Sequence, residues 1–129
     1  MITREDIMNS PDNHVFVFGD NLDHTGYGGQ AAVAREFVKT GKAFGIPTKR
    51  HPTANSDAYF SDQPDEIAIV MAAFIELVGM AKNGKYIVFF PGIGEGYARL
   101  SSKSPRIYKM VKNCIYGLLG RCLGEVRKG

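Results

Sequence analysis

Short apolar runs recur along this chain, and helical spacing or turn chemistry fills the intervals between them. Val15-Phe16-Val17-Phe18 and Tyr86-Ile87-Val88-Phe89-Phe90 are unbroken β-branched and aromatic runs, the character of parallel strands covered on both faces. Ala43-Phe44-Gly45-Ile46 is a shorter run of the same kind, which Pro47 is expected to end. Residues 30 to 37 combine helix formers with an apolar spacing of three to four, and Gly41 is the expected stop. A longer helix is predicted from Pro64 to about Lys82, capped by Asp62 or Ser61. Its stripe is Ile67, Val70, Met71, Phe74, Leu77, Val78 and Ala81, which Ile69 and Ile75 are expected to widen. A last helix starts near Ser104-Pro105 and carries Ile107, Val111, Cys114, Ile115, Leu118 and Cys122 on one face, with Gly117, Gly120 and Gly124 weakening its far end. Thr3 can cap a helical turn over residues 3 to 8, and residues 9 to 13 are turn-forming. The order strand–helix–strand–helix–strand–helix predicts a three-layer α/β/α fold around a mainly parallel sheet with right-handed crossovers.

Two glycine-rich segments follow strands and precede helices in this order. One runs from Gly19-Asp20-Asn21 through Gly26, Gly28 and Gly29 to Gln30; the other is Gly92-Ile93-Gly94-Glu95-Gly96-Tyr97. In a parallel sheet both open on the carboxyl edge, where ligands bind in open α/β folds. Glycines let an anion approach free backbone N–H groups without a Cβ in the way. Two structural turns are the plain alternative. The segments form neither a Walker loop, since no Lys-Ser/Thr follows, nor a dinucleotide fingerprint, whose glycine spacing is absent.

Size and charge narrow the choice. A chain of 129 residues with 44% hydrophobic and 22% charged residues makes one globular domain, residues 1–129. A net charge of +3 suits an anionic small molecule and falls short of the basic face of a nucleic-acid binder, so no nucleic-acid partner is expected. Lys49-Arg50 and Arg127-Lys128 read as solvated charges. Cys114 and Cys122 sit about 12 Å apart along a helix, too far for a disulfide, which implies thiols in a reducing compartment. Without a signal peptide or an apolar run of membrane-spanning length, a cytoplasmic location is expected. The scattered histidines have no metal-ligand spacing, no cofactor is implied, and no nucleophile–histidine pairing suggests covalent catalysis.

The arrangement of a strand, Asn21-Leu22, Gly26-Tyr27-Gly28-Gly29 and an Ala-rich helix is similar to the macrodomain pattern. Phe89-Phe90-Pro91-Gly92-Ile93-Gly94-Glu95-Gly96-Tyr97 resembles that family's second signature, and Asp6-Ile7 lies where macrodomains keep an Asp-Ile pair. The phrases VFVFGDNL, GYGGQA, AFGIPTK, YFSD and GIGEGYARL look like those of small bacterial and phage proteins with a macro-like core. The resemblance covers most of the chain, which is shorter than a typical macrodomain and has Gly19-Asp20-Asn21 where many have an asparagine-rich segment.

Macrodomains bind ADP-ribose and its derivatives, and some hydrolyse ADP-ribosyl linkages or a terminal phosphate. The resemblance therefore implies an ADP-ribose-like ligand, with Gly92, Ile93, Gly94, Glu95 and Gly96 wrapping the diphosphate opposite Gly28 and Gly29. Gly19, Gly26 and Gln30 complete the first loop's binding set. Asn21 would contact the distal ribose, or merely close an Asx turn. Tyr97 would stack on that ribose or pack as a half-buried aromatic, and Asp6 would accept from the adenine amino group or cap a helix. For turnover, Asp20 and Glu95 are the candidate bases beside Asn21, with His24 a further loop residue. Residues 47 to 62 form a long segment whose Lys49, His51, Asp57, Tyr59 and Phe60 are candidates for a lid. Three functions compete: a binding module, a hydrolase of an ADP-ribosyl bond or ADP-ribose phosphate, and a phage or bacterial interaction protein without a ligand.

Overall fold

A computed structural model describes the backbone of residues 1–122 and the side chains through Leu118. The expectations for the Cys122 side chain, Gly124 and Arg127-Lys128 lie outside the described residues. The elements are α1 (Arg4–Met8), β1 (His14–Asn21), α2 (Ala31–Ala34), β2 (Ala43–Lys49), α3 (Pro64–Lys82), β3 (Tyr86–Phe89), α4 (Leu100–Lys103) and α5 (Pro105–Cys122).

The three strands form one parallel sheet in the order β2-β1-β3. Val15 lies opposite Ile87 and Val17 opposite Phe89, while Phe16, Phe18 and Asp20 lie opposite Ala43, Gly45 and Pro47. β1 is thus the central strand, and its run from Val15 to Phe18 is buried throughout. α3 packs on β2 and β3, α5 on α3 and β3, and α2 on β1 with α1 beside it. The α/β expectation, with a parallel sheet and both long apolar strands adjacent, holds.

Four local expectations do not. β2 runs through Pro47 to Lys49 instead of ending before the proline. β2 is an edge strand, and there a residue without an N–H can be carried. The helix expected over residues 30 to 37 is a single α turn continued by a 3-10 turn at Arg35–Phe37. The chain tightens there because Lys42 N–H donates to Phe37 O and Phe16 N–H to Lys42 O, which brings Ala43 beside β1. On α3 only Glu66, Val70, Phe74 and Leu77 are fully buried; Ile69 and Met71 face outward and Ile75 is 66% exposed. A three-stranded sheet is roughly 10 Å wide, which covers one stripe of a helix and no more. Finally, Gln63 with Glu66 caps α3, and Asp62 serves a different helix. Its carboxylate accepts from Ser104 Oγ (2.7 Å), Ile107 N–H (2.9 Å) and Arg106 N–H (3.1 Å), capping α5 from across the domain.

Candidate functional site

The carboxyl ends of all three strands open into one cavity of about 940 Å³. Its floor is Gly19, Asp20 and Asn21 at the end of β1. The segment after β1 and the segment after β3 form two walls, and Thr48, Lys49 and Tyr59 form a third.

The first wall is fastened from behind by Arg35. Its Nε donates to Gly26 O (2.8 Å), and one terminal nitrogen donates to Thr25 O (2.9 Å) and Asp20 Oδ1 (2.7 Å). In a trans peptide the N–H points opposite to the C=O, so the N–H groups of Gly26 and Tyr27 are directed away from Arg35. Gly26 and Gly29 sit at φ +87° and +56°, conformations that suit glycine. Asp20 is the hub of this wall, with its side chain only 5% exposed. Besides Arg35, it accepts from the Asn21 N–H at 2.8 Å, and its Oδ2 lies 2.9 Å from His24 Nδ1. Room for that carboxylate comes from Gly45 on β2, where a Cβ would lie 2.6 Å from Asp20 Oδ2. Nothing in the sequence pattern marks Gly45 for this, because the contact crosses from one strand to the next.

The second wall runs through Gly92, Gly94 and Gly96, at φ +76°, +87° and +59°. Glu95 N–H turns inward to Gly92 O and Leu100 N–H to Gly94 O. Among the described residues no group accepts from the N–H of Gly92, Ile93, Gly94, Gly96 or Tyr97. A run of free amides in left-handed and turn conformations is a concavity suited to anions. Neither α2 nor α4 exceeds four residues, so the amides themselves carry this capacity, with little help from a helix macrodipole. The two walls are bolted together by Gln30, whose Oε1 accepts from Gly19 N–H (2.8 Å) while Nε2 donates to Pro91 O (2.6 Å). Tyr97, 72% exposed, leans its ring on Gly28 and Gly29. An added Cβ at either glycine would meet that ring at 3.7 or 3.6 Å.

The third wall is cationic. Lys49 is 9% exposed and donates from Nζ to Thr53 O (2.6 Å), with Nζ 4.9 Å from the Tyr59 ring centroid. Burial, and secondly the charge of Arg99, pull its pKa below the ordinary lysine value. Arg99 itself is held at φ +48°, an uncommon conformation for a residue with a side chain. Of the acids at the site, Asp20 is neutralised by Arg35, and Glu95 pairs with Lys112 at 2.9 Å. The balance of charge in the cavity is positive, carried by Lys49 and Arg99.

The cavity therefore brings together Gly19, Asp20, Asn21, Gly26, Gly28, Gly29, Gln30, Gly92, Gly94, Glu95, Gly96 and Tyr97. Asp6 is not among its lining: it closes a capping box at the start of α1, accepting from Thr3 N–H at 2.8 Å. The Ile93 side chain is buried in the core. Asn21 forms an Asx turn, with Oδ1 accepting from Asp23 N–H (3.0 Å) and Nδ2 donating to Thr25 O (2.8 Å). Of the residues considered for a lid, Lys49 and Tyr59 line the cavity and Phe60 is core. His51 pairs with Asp23 at 2.8 Å, and Asp57 is exposed. The residues that sequence reasoning missed are Thr25, Ala31, Arg35, Thr48, Pro52, Thr53, Ala54, Ala98 and Arg99. Only Arg99 had a legible signal, as a basic residue closing a glycine-rich loop.

Among the described residues no group of three or more His, Cys, Asp or Glu is placed to hold a metal ion, and no helix is long and apolar enough to cross a membrane. The sequence matches a family of unknown function, DUF7831, over residues 1–114, and the chain belongs to that family. No curated protein and no solved structure matches it.

Proposed function

We propose that this DUF7831 chain binds an ADP-ribose-like nucleotide, gripping the diphosphate between its two glycine-rich walls. The observation that carries the reading is the convergence of those walls on one cavity, with free amides on the second and unneutralised cations at Lys49 and Arg99. A volume of about 940 Å³ is at the upper end of small-molecule sites and suits an extended dinucleotide-like molecule. The macrodomain-like order of the motifs supports the same ligand class. Asp20, Asn21 and Gln30 already satisfy one another or their neighbours, so they hold the walls in shape and leave recognition to backbone amides and the cationic side.

One observation favours a second reading, hydrolysis of an ADP-ribosyl linkage or ADP-ribose phosphate. Asp20 Oδ2 sits against His24 Nδ1, an arrangement that orients an imidazole and leaves its Nε2 as a base. In that reading Asp20 is a positioning group and His24 or Glu95 handles the proton.

Calorimetric titration with ADP-ribose, NAD, ADP and AMP, followed by chromatography of each mixture, separates the readings. Heat with unchanged ligand supports binding alone, and product formation supports hydrolysis. No heat across the panel refutes the nucleotide reading and leaves an interaction protein.

A further inference from the structure

The cationic wall holds more positive charge than a diphosphate on the glycine-rich side accounts for. Lys49 Nζ and Lys103 Nζ lie 4.9 and 5.1 Å from the Tyr59 ring centroid, so the two ammonium groups are at most about 10 Å apart. Arg99 lines the same cavity as Lys49, and its charge acts on that ammonium. Among the described residues no carboxylate pairs with Lys49, Arg99 or Lys103. Lys49 is nine-tenths buried, yet its ammonium, with three donors, has one oxygen partner, Thr53 O. A buried cation so poorly satisfied is costly unless an anion completes its shell. Lys49 stands at the end of β2 on one side of β1, whereas the free amides follow β3 on the other, and Arg99, whose N–H donates to Gly96 O, joins the two. Two strand spacings, roughly 10 Å, separate the two sides.

We propose that Lys49 and Lys103, both at the Tyr59 ring, together with Arg99 on the same cavity, form a second anion subsite that takes a phosphate monoester. The ligand is then a nucleotide carrying a phosphate beyond its diphosphate, an identification that rests on the reading above. The Tyr59 ring lies within cation–π reach of both the buried Lys49 and the exposed Lys103, so a dianion would meet charges already held against one aromatic ring.

The test compares ligands that differ by one phosphate: ADP-ribose against its 2′-phosphate and 1″-phosphate esters, and NAD against NADP. One member of these pairs should bind at least about tenfold tighter, the worth of one or two charged hydrogen bonds. In Arg99→Gln and Lys103→Met that advantage should fall to less than about twofold, while Lys103→Met binds ADP-ribose itself as the native protein does. Equal affinity within every pair, or an advantage that survives both substitutions, overturns the subsite. Inorganic phosphate gives an independent reading: it should shift the Tyr59 ring resonances in the native protein and not in Lys49→Met. If phosphate shifts Tyr59 and no nucleotide binds, the subsite stands and the nucleotide reading fails. If nucleotides bind without discrimination and phosphate leaves Tyr59 unmoved, the subsite fails alone.

Discussion

Replacing Asp20 by asparagine should destabilise this protein before it tells anything about chemistry. The carboxylate is 5% exposed and the Arg35 side chain 11% exposed, with 2.7 Å between them. Removing one partner of a buried ion pair costs about 3–5 kcal/mol, because the other charge is left without compensation. Here Arg35 keeps two carbonyl partners, Thr25 O and Gly26 O, and the new amide retains one oxygen for the Asn21 N–H. The expected loss therefore falls at or just below the bottom of that range, about 2–3 kcal/mol, out of the roughly 5–15 kcal/mol that a domain of this size possesses. Urea unfolding of native and Asp20→Asn proteins at pH 7 measures it: the midpoint should fall by about 1–2 M with the slope unchanged. A cycle with Arg35→Met should show coupling above about 1 kcal/mol, since the two side chains touch. Gly45→Ala should reproduce part of the loss by driving a Cβ against the same carboxylate. A loss below about 0.5 kcal/mol with additive single changes would refute the view of Asp20 as the hub of the first wall. If the view holds, lost turnover in Asp20→Asn counts as catalytic evidence only in a preparation shown to be folded.

The two glycine-rich walls predict opposite behaviour. Gly28→Val should fold normally, since a Cβ there meets Tyr97 at an ordinary 3.7 Å, and should weaken nucleotide binding by about 2–4 kcal/mol. Gly94→Val should instead lower stability by about 2 kcal/mol or more, because φ is +87° and a Cβ would lie 2.6 Å from Leu100; equal melting midpoints for the two variants would contradict this. Asp62→Ala should cost about 2–3 kcal/mol in urea unfolding through the lost cap of α5, whereas Asp62→Asn, which keeps an acceptor and tolerates φ +59°, should cost under about 1 kcal/mol. Similar losses for both would show that the cap does not hold α5. Burial, then the nearby Lys42 charge, hold the His14 pKa below its ordinary 6.5, so the neutral ring is the folded form. That contribution is present above pH 6.5 and is lost as pH falls. His14→Phe should accordingly lose less stability than the native protein between pH 7.5 and 5, and parallel pH profiles would refute the assignment.

What the sequence determined by itself was the frame. Unbroken β-branched and aromatic runs fix β1 and β3 as buried strands, and alternation with helical spacing makes the sheet parallel. A parallel sheet brings both glycine-rich segments to one edge, so the position of the cavity was legible from order and periodicity alone. These are local signals, written within a few residues of one another. The tertiary structure decided which polar groups are spent internally and which remain free. Asp20 is occupied by Arg35, Asn21 by its own turn, Gln30 by Gly19 and Pro91, and Asp6 by Thr3. The cationic cluster joins Lys49 at the end of β2, Tyr59 just after a 3-10 turn, Arg99 just before α4 and Lys103 at the end of α4, with both lysines over the Tyr59 ring. Asp62 capping α5 and Ile75 lying outside the core are decisions of the same kind. Hydrogen bonds and ion pairs act over about 3–4 Å, so their partners are set by how elements stack in space, which spacing along the chain does not encode.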